Sequence, residues 1–340
     1  MKEKLVNKYT YNCVDDSILL PHFKKYYVSL YFRLVPRGLT ANLITLLSTG
    51  FIFFLLYIVH LPQQLSSGAM AGIIAFCLHN YLVGDHLDGM QAKETQTSSP
   101  LGEFLDHYLD VYNGAIVFFV LAIFLRPIPD DIFYVLLVLN CIAFAATMME
   151  ELERGELYFG KIGTLEAVVL LFAFFISWMA PPIREFWQKE LLWGYSLYWL
   201  VIVLFGLGLV FTLVDIFKRL GRIPAPFALY FISLVLLSVF LYLGKQDRLA
   251  GWLVLVLYSG EYIGKIMNSY FQAGKHRLPD LVVPVITGCL IGLVVFQVTD
   301  LFLFSWLNWF LFAYLVFKVV WIFTTTFYEL KAHWHWWNPV

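Results

Sequence analysis

Charge is scarce in this chain of 340 residues: Asp, Glu, Lys and Arg together make up 14%, against roughly 25% in an ordinary soluble domain. With 60% of the residues hydrophobic and 19% aromatic, so few charges cannot furnish a water-facing surface, which excludes a soluble globular protein. Any block of Lys and Arg is also missing, and the formal net charge is −1. Without a concentrated basic surface to release counterions, nucleic acid is excluded as a partner. The four cysteines, Cys13, Cys77, Cys141 and Cys289, stand far apart with no CxxC pair and no His spacing suited to zinc. They read as small buried apolar residues. The opening MKEKLVNKYTYNCVDDS lacks the pattern of a signal peptide, so the first span is expected to stay in the mature protein. No repeat of solenoid length and no low-complexity linker interrupts the chain.

What is present is apolar sequence in stretches of about 20 residues, the length that crosses a bilayer as a helix. Taking Pro, Gly and charge clusters as breaks predicts ten helices, beginning near residues 42, 68, 104, 132, 163, 195, 225, 249, 280 and 301. Only Gln297 to Asp300 separates the last two, so nine spans with one long tilted helix is the competing count. The expected fold class is therefore all-α, a polytopic membrane protein. Lys and Arg in the connecting loops number sixteen on the side of the N-terminus and five on the other. Positive residues are retained on the cytoplasmic side, so both termini are expected there, as an even number of spans requires. Residues 21 to 35, PHFKKYYVSLYFRLV, mix basic with aromatic and aliphatic side chains, as an amphipathic helix lying along the membrane surface would. The C-terminal HWHWWN reads as an aromatic interface belt. Its His333 and His335 are spaced i, i+2, which is poor for one helical face.

The acids are unevenly placed. Of twelve aspartates, four (Asp85, Asp88, Asp106 and Asp110) fall within 26 residues around one connection. Asp85 and Asp88 are i, i+3 at the end of the second span, and Asp106 and Asp110 are i, i+4 at the start of the third, so each pair shares a helical face. Two helices can then aim four carboxylates at one point. Such a cluster near hydrocarbon repels itself and loses hydration, a cost that falls when cations sit between its members. Oxygen-only donors suit hard divalent ions, and Mg²⁺ fits best because it supplements a few carboxylates with water and phosphate oxygens. Two Mg²⁺ bridging a diphosphate is the reading richest in chemistry, with Mn²⁺ an alternative. Gly89 beside Asp88 and Gly102 before Asp106 each remove a side chain where a helix or ligand must approach closely.

These residues carry a resemblance. Asp85 to Asp110, DHLDGMQAKETQTSSPLGEFLDHYLD, is similar to the CDP-alcohol phosphotransferase signature DxxDGxxAR(x8)GxxxDxxxD, and every spacing agrees. Lys93 stands where the family has Arg, which keeps the charge and loses the planar fork for phosphate. YTYNCVDDS near the start, PRGLTANLITLLS entering the first span, SSPLGEFLDH and EELERGELYFGKIGTLEA resemble the choline/ethanolamine branch in particular. The likeness covers about the first half; the second half matches in hydropathy alone.

The resemblance implies one domain over residues 1–340, with a cytoplasmic or interfacial segment 1–41, a catalytic half 42–215 and additional spans 216–340. It implies transfer of a phosphoalcohol from CDP-ethanolamine or CDP-choline to a lipid hydroxyl such as that of diacylglycerol, with release of CMP. Asp85, Asp88, Asp106 and Asp110 would hold two metal ions, Gly89, Ala92 and Gly102 would leave room for the nucleotide, and Lys93 would face its phosphates. Asn42 resembles the family's Asn near the cytidine, and a helix N-cap role suits it equally. A base near the metals is needed for the lipid hydroxyl: His107 directly follows Asp106, with Glu166 as its expected companion and Asp110 as the rival base. A homodimer is also implied. Glu261 and Lys265, i, i+4 in the eighth span, read as neutralising each other, or with Tyr258 and Tyr262 as a lipid head-group contact through cation–π interaction. Rival readings are another CDP-alcohol (inositol or glycerol), a ceramide acceptor, or an ion-coupled transporter. Transporters of many folds show internal repeats and broken midplane helices, whereas these acids gather at one membrane face.

Overall fold

The computed structural model describes residues 11–60, 65–126, 128–192, 194–244, 247–272, 274, 276–295 and 301–331. The C-terminal aromatic belt with His333 and His335, and the break from Gln297 to Asp300, lie outside the described residues. The described residues are mainly helical, with four strands of two or three residues. A helix occupies each of the ten predicted positions: α1 (Ala41–Ile58), α2 (Ser67–Glu94), α3 (Pro100–Phe124), α4 (Asp130–Arg154), α5 (Thr164–Met179), then, after a short helix α6 (Pro181–Gln188), α7 (Trp199–Leu220), α8 (Ala225–Leu243), α9 (Arg248–Phe271), α10 (Val282–Val295) and α11 (Leu301–Leu330).

Among the described residues seven helices are long and apolar enough to cross a membrane: α1, α2, α3, α4, α7, α8 and α11. An eighth span is available if α5 and α6, bent by 114° at a break, count as one. The bend has a local cause, since Pro181 and Pro182 cannot continue the i to i−4 ladder of α5. The remaining two fall short for different reasons. Helix α10 has only 14 residues, and α9 carries Glu261 and Lys265 in its apolar stretch.

Helix starts follow capping chemistry. The side chains of Thr40, Ser66 and Ser99 accept from the backbone N–H groups of Leu43, Ala69 and Gly102, each satisfying one donor that the first turn leaves orphaned. The cap of α1 is thus Thr40, and the N-cap role expected of Asn42 is corrected: the helix begins at Ala41, which places Asn42 inside its first turn. Helix α4 stops at Gly155, whose φ of 72° is left-handed and open to glycine without a Cβ penalty.

The chain forms two compact units. Among the described residues the first comprises 11–126 and 158–212, and the second 128–157 and 213–331. In the first, α1 packs on α2 and α3, and α2 on α5. A Cβ on Gly84 of α2 would come within 2.5 Å of the Ser48 Cβ of α1, so the absent side chain lets these two helices touch. The expected surface helix is present as Leu20–His22, a π-helical turn Phe23–Val28 and Ser29–Phe32. Its Val28 is buried with Ile44, Val83 and Leu87, while Tyr26 and Leu30 on its other side are exposed. His79 of α2 anchors it, with Nδ1 3.2 Å from the Tyr27 hydroxyl and Nε2 3.2 Å from that of Tyr31.

In the second unit α9 packs on α4 and α11, and α8 on α4, α9 and α10. Glu261, fully buried, is ion-paired with Lys265 at 2.6 Å and lies 3.8 Å from Lys318, which also meets Asp280 at 3.0 Å. Asp280 accepts further from the Tyr314 hydroxyl at 2.7 Å and from the N–H of Val282. Burial by itself would raise the Asp280 carboxyl; the bonds from Tyr314 and Lys318 outweigh it and hold the group below its ordinary value.

Candidate active site

The four aspartates of the sequence cluster all lie in the first unit, on the facing ends of α2 and α3. Carboxylate oxygens of Asp85, Asp106 and Asp110 lie within 4.8 Å of one another, and all three residues are partly exposed. Three acids this close repel in a low-dielectric surrounding unless positive charge is placed between them. The donor set is oxygen alone, converging and reachable from solvent, so it fits a hard divalent ion rather than zinc or copper.

Asp88, one turn on from Asp85, is 5% exposed and stands outside that trio. Its Oδ2 accepts from the Thr45 hydroxyl at 2.6 Å and its Oδ1 from the N–H of Gly89 at 2.5 Å. The same device recurs at Asp110, whose Oδ1 accepts from the Tyr81 hydroxyl at 2.7 Å and from Asn113 Nδ2 at 3.2 Å. Asn113 also donates to Thr49 Oγ1 at 3.1 Å. A polar stripe on α1, Thr45 and Thr49, therefore fixes carboxylates borne by α2 and α3, as outer-shell partners do around metal-binding carboxylates. Thr45, Thr49, Tyr81 and Asn113 were not anticipated from the sequence. Their signal is there: Thr45 and Thr49 are polar at i, i+4 in an apolar span, Tyr81 precedes Asp85 by four residues, and Asn113 follows Asp110 by three.

His107, 6% exposed, holds Nδ1 4.0 Å from Asp106 Oδ2 and Nε2 3.4 Å from the Tyr11 hydroxyl. The Tyr11 ring stacks on it with centroids 6.1 Å apart. The expected pairing of His107 with Glu166 is corrected. Glu166 accepts from Ser17 Oγ at 2.5 Å and Leu19 N–H at 3.2 Å through Oε1, and from Gly163 N–H at 2.8 Å through Oε2. At the third position of α5 it reaches back to the cap residue, as a capping-box glutamate does, and its other oxygen ties down Ser17 and Leu19 in the segment that follows the N-terminal strand Cys13–Asp15. That segment is further held by Asp16 N–H to Phe159 O at 3.0 Å and by the Tyr158 hydroxyl to Asp16 at 2.7 Å.

The residues expected around the nucleotide are placed unevenly. Asn42 faces Gly102: a Cβ there would sit 3.2 Å from Asn42 Oδ1, a contact that would crowd the Asn42 side chain. A Cβ on Gly89 would meet nothing within 4 Å, so no helix approaches there, and of the two expected reasons for this glycine only room for a ligand stays open. Ala92 is half-buried, and Lys93 is exposed in the last turn of α2. Glu261 and Tyr262 belong to the other unit, both without exposed surface; Glu261 is ion-paired, and Tyr262 stacks on Tyr230 with centroids 4.5 Å apart. Neither enters the functional proposal.

Residues 38–214 match the family described as CDP-alcohol phosphatidyltransferase. An uncharacterised class-I family protein of that description from Schizosaccharomyces pombe is 29% identical over 195 residues, covering 55% of this chain and 50% of its own length. Ethanolaminephosphotransferase 1 of Homo sapiens is 25% identical over 213 residues, 54% of this chain and 52% of the relative. Cholinephosphotransferase 1 of Gallus gallus is 30% identical over 174 residues, 49% and 51% respectively. The chain thus spans about half the length of these curated relatives.

Proposed function

We propose, from the premise that the chain belongs to the CDP-alcohol phosphatidyltransferase family, that it transfers phosphoethanolamine or phosphocholine from the CDP-alcohol to the hydroxyl of a diacylglycerol-like lipid, releasing CMP. The observation that carries this reading is the convergence of Asp85, Asp106 and Asp110 within 4.8 Å at the ends of two apolar helices. Such a site lets a water-soluble nucleotide and a membrane lipid meet at one place.

Asp85, Asp106 and Asp110 would hold divalent cations, with Asp88 completing the set for a second ion. When bound, such ions neutralise the diphosphate and the charge that develops on the leaving CMP. The chain's own residues do the rest. Tyr81, Asn113 and Thr45 hold the carboxylates in fixed orientation, so little reorganisation is left for the reaction itself. Asn42 contacts the nucleotide base next to Gly102, the open space at Gly89 and the small side chain of Ala92 admit the nucleotide, and Lys93 meets its phosphates as a point charge. His107 takes the proton of the lipid hydroxyl at Nε2, the nitrogen that faces the Tyr11 hydroxyl; Asp110 is the competing base. Glu166 serves the reaction by holding the segment that carries Tyr11.

The distribution of Lys and Arg supports a cytoplasmic active face with both termini on that side, and the family resemblance supports a homodimer as the working assembly. The test is conversion of radiolabelled CDP-ethanolamine, CDP-choline and competing CDP-inositol and CDP-glycerol donors into lipid, with diacylglycerol and ceramide as acceptors, followed by thin-layer separation. Labelled phosphatidylethanolamine or phosphatidylcholine is expected. Absence of transfer from every CDP-alcohol refutes the proposal.

A further inference from the structure

We infer that Gln91 is a positioning residue for the donor nucleotide, acting through the turn that precedes α1. The inference rests on the reading of Asn42 as a nucleotide contact. Gln91 occupies the signature segment three residues after Asp88, at a position that carries no chemistry of its own. It is 1% exposed, and an amide so deeply buried must find hydrogen-bond partners or destabilise the fold. Its Nε2 lies 2.9 Å from the carbonyl oxygen of Pro36, 3.2 Å from that of Arg37 and 2.7 Å from that of Leu39. One side-chain amide thereby gathers the carbonyls of the turn 36–39 and adds to two further ties to α2: Leu39 packs against the cluster that holds Val83 and Leu87, and Arg37 pairs with Glu94 at 3.4 Å, an exposed contact of small worth in water.

The turn leads directly into Thr40, the cap of α1. Where it sits sets where α1 begins, and so where Asn42 in its first turn points. Asn42 lies against Gly102 and Thr45 donates to Asp88. Gln91 and Asp88 ride on the same helix, so a single rigid element holds the acidic cluster at one point and the nucleotide contact at another. Loss of the amide donors loosens the turn and with it Asn42, while Thr45, one turn further into α1, keeps its bond to Asp88 and the carboxylates of α3 stay in place. The effect therefore falls on donor binding rather than on turnover of bound substrate.

The experiment uses the full chain in detergent or nanodiscs with two variants, Gln91→Met, which keeps the length and removes the donors, and Gln91→Glu, which keeps the shape and turns donors into acceptors. Direct binding of CDP-ethanolamine is expected to weaken about tenfold in both, the loss of roughly one to two net hydrogen bonds. Hydrogen exchange over residues 36–42 should accelerate without substrate, with exchange in α3 unchanged. In turnover, KM for the CDP-alcohol should rise by a similar factor with kcat and the KM for lipid unaltered. Wild-type binding or wild-type exchange in a well-folded variant overturns the inference, as does a fall in kcat at unchanged KM. If the wild-type chain binds the nucleotide and turns nothing over, the reaction assignment falls while the binding and exchange results still decide the role of Gln91. Should Gln91→Met not fold, Gln91→Glu decides alone.

Discussion

Tyr81→Phe removes one oxygen atom from the protein and tests whether the carboxylate cluster binds metal. Tyr81 is 6% exposed, and its hydroxyl donates to Asp110 Oδ1 at 2.7 Å. A hydrogen bond to a charged group contributes about 1.5–3 kcal/mol, or roughly 10- to 150-fold in an equilibrium constant. Asn113 still donates to the same oxygen at 3.2 Å, which keeps the carboxylate partly oriented and places the effect toward the lower end. That agrees with the about 10- to 100-fold loss of metal affinity usual for removing an outer-shell partner. The expected result is a Mg²⁺ concentration for half-maximal CMP release raised about tenfold, with near-normal turnover at saturating Mg²⁺. Asn113→Leu should act in the same direction. The double variant should show coupling of about 0.5–3 kcal/mol, because both side chains address one oxygen. A Mg²⁺ titration of Tyr81→Phe superimposable on wild type, in protein of unchanged thermal stability, would refute the assignment of Asp110 to the metal set.

Asp106→Asn should abolish Mg²⁺-dependent CMP release with expression and assembly intact, and retained activity would show the metal assignment to be wrong. His107→Ala should bind CDP-alcohol normally and fail to turn over; an active variant moves the base to Asp110 or water. Glu166→Gln should speed proteolysis and hydrogen exchange of residues 11–19, a loss of about 1–3 kcal/mol as a carboxylate with three donors is replaced, whereas a fall in kcat with normal exchange would restore its pairing with His107. Asp280 is held below its ordinary value when folded, so its contribution to stability is full above the unfolded carboxylate value of about 3.9 and is lost as pH falls through the lower folded value. Thermal unfolding in detergent from pH 6 to pH 3 should accordingly lose less stability in Asp280→Asn than in wild type, and equal slopes would argue against the role given to Lys318 and Tyr314.

The sequence by itself determined the solvent of this protein, the position of each long helix and the clustering of the acids. Those properties are local: an apolar stretch of bilayer length is helical wherever it lies, capping residues mark its start, and spacings of three and four put side chains on one face in any helix. The likeness of Asp85 to Asp110 to a family signature was legible for the same reason, being a pattern of short spacings. What only the tertiary structure decided is how the faces meet. That Asp85, Asp106 and Asp110 converge while Asp88 turns to Thr45, that Tyr81 and Asn113 hold Asp110, and that Glu166 secures Ser17 and Leu19 instead of His107, depends on the rotation and register of helices distant in sequence. Those are set by contacts such as the Gly84 approach to Ser48, and no local spacing encodes them, because side chains from two helices meet only where the packing of both backbones brings them.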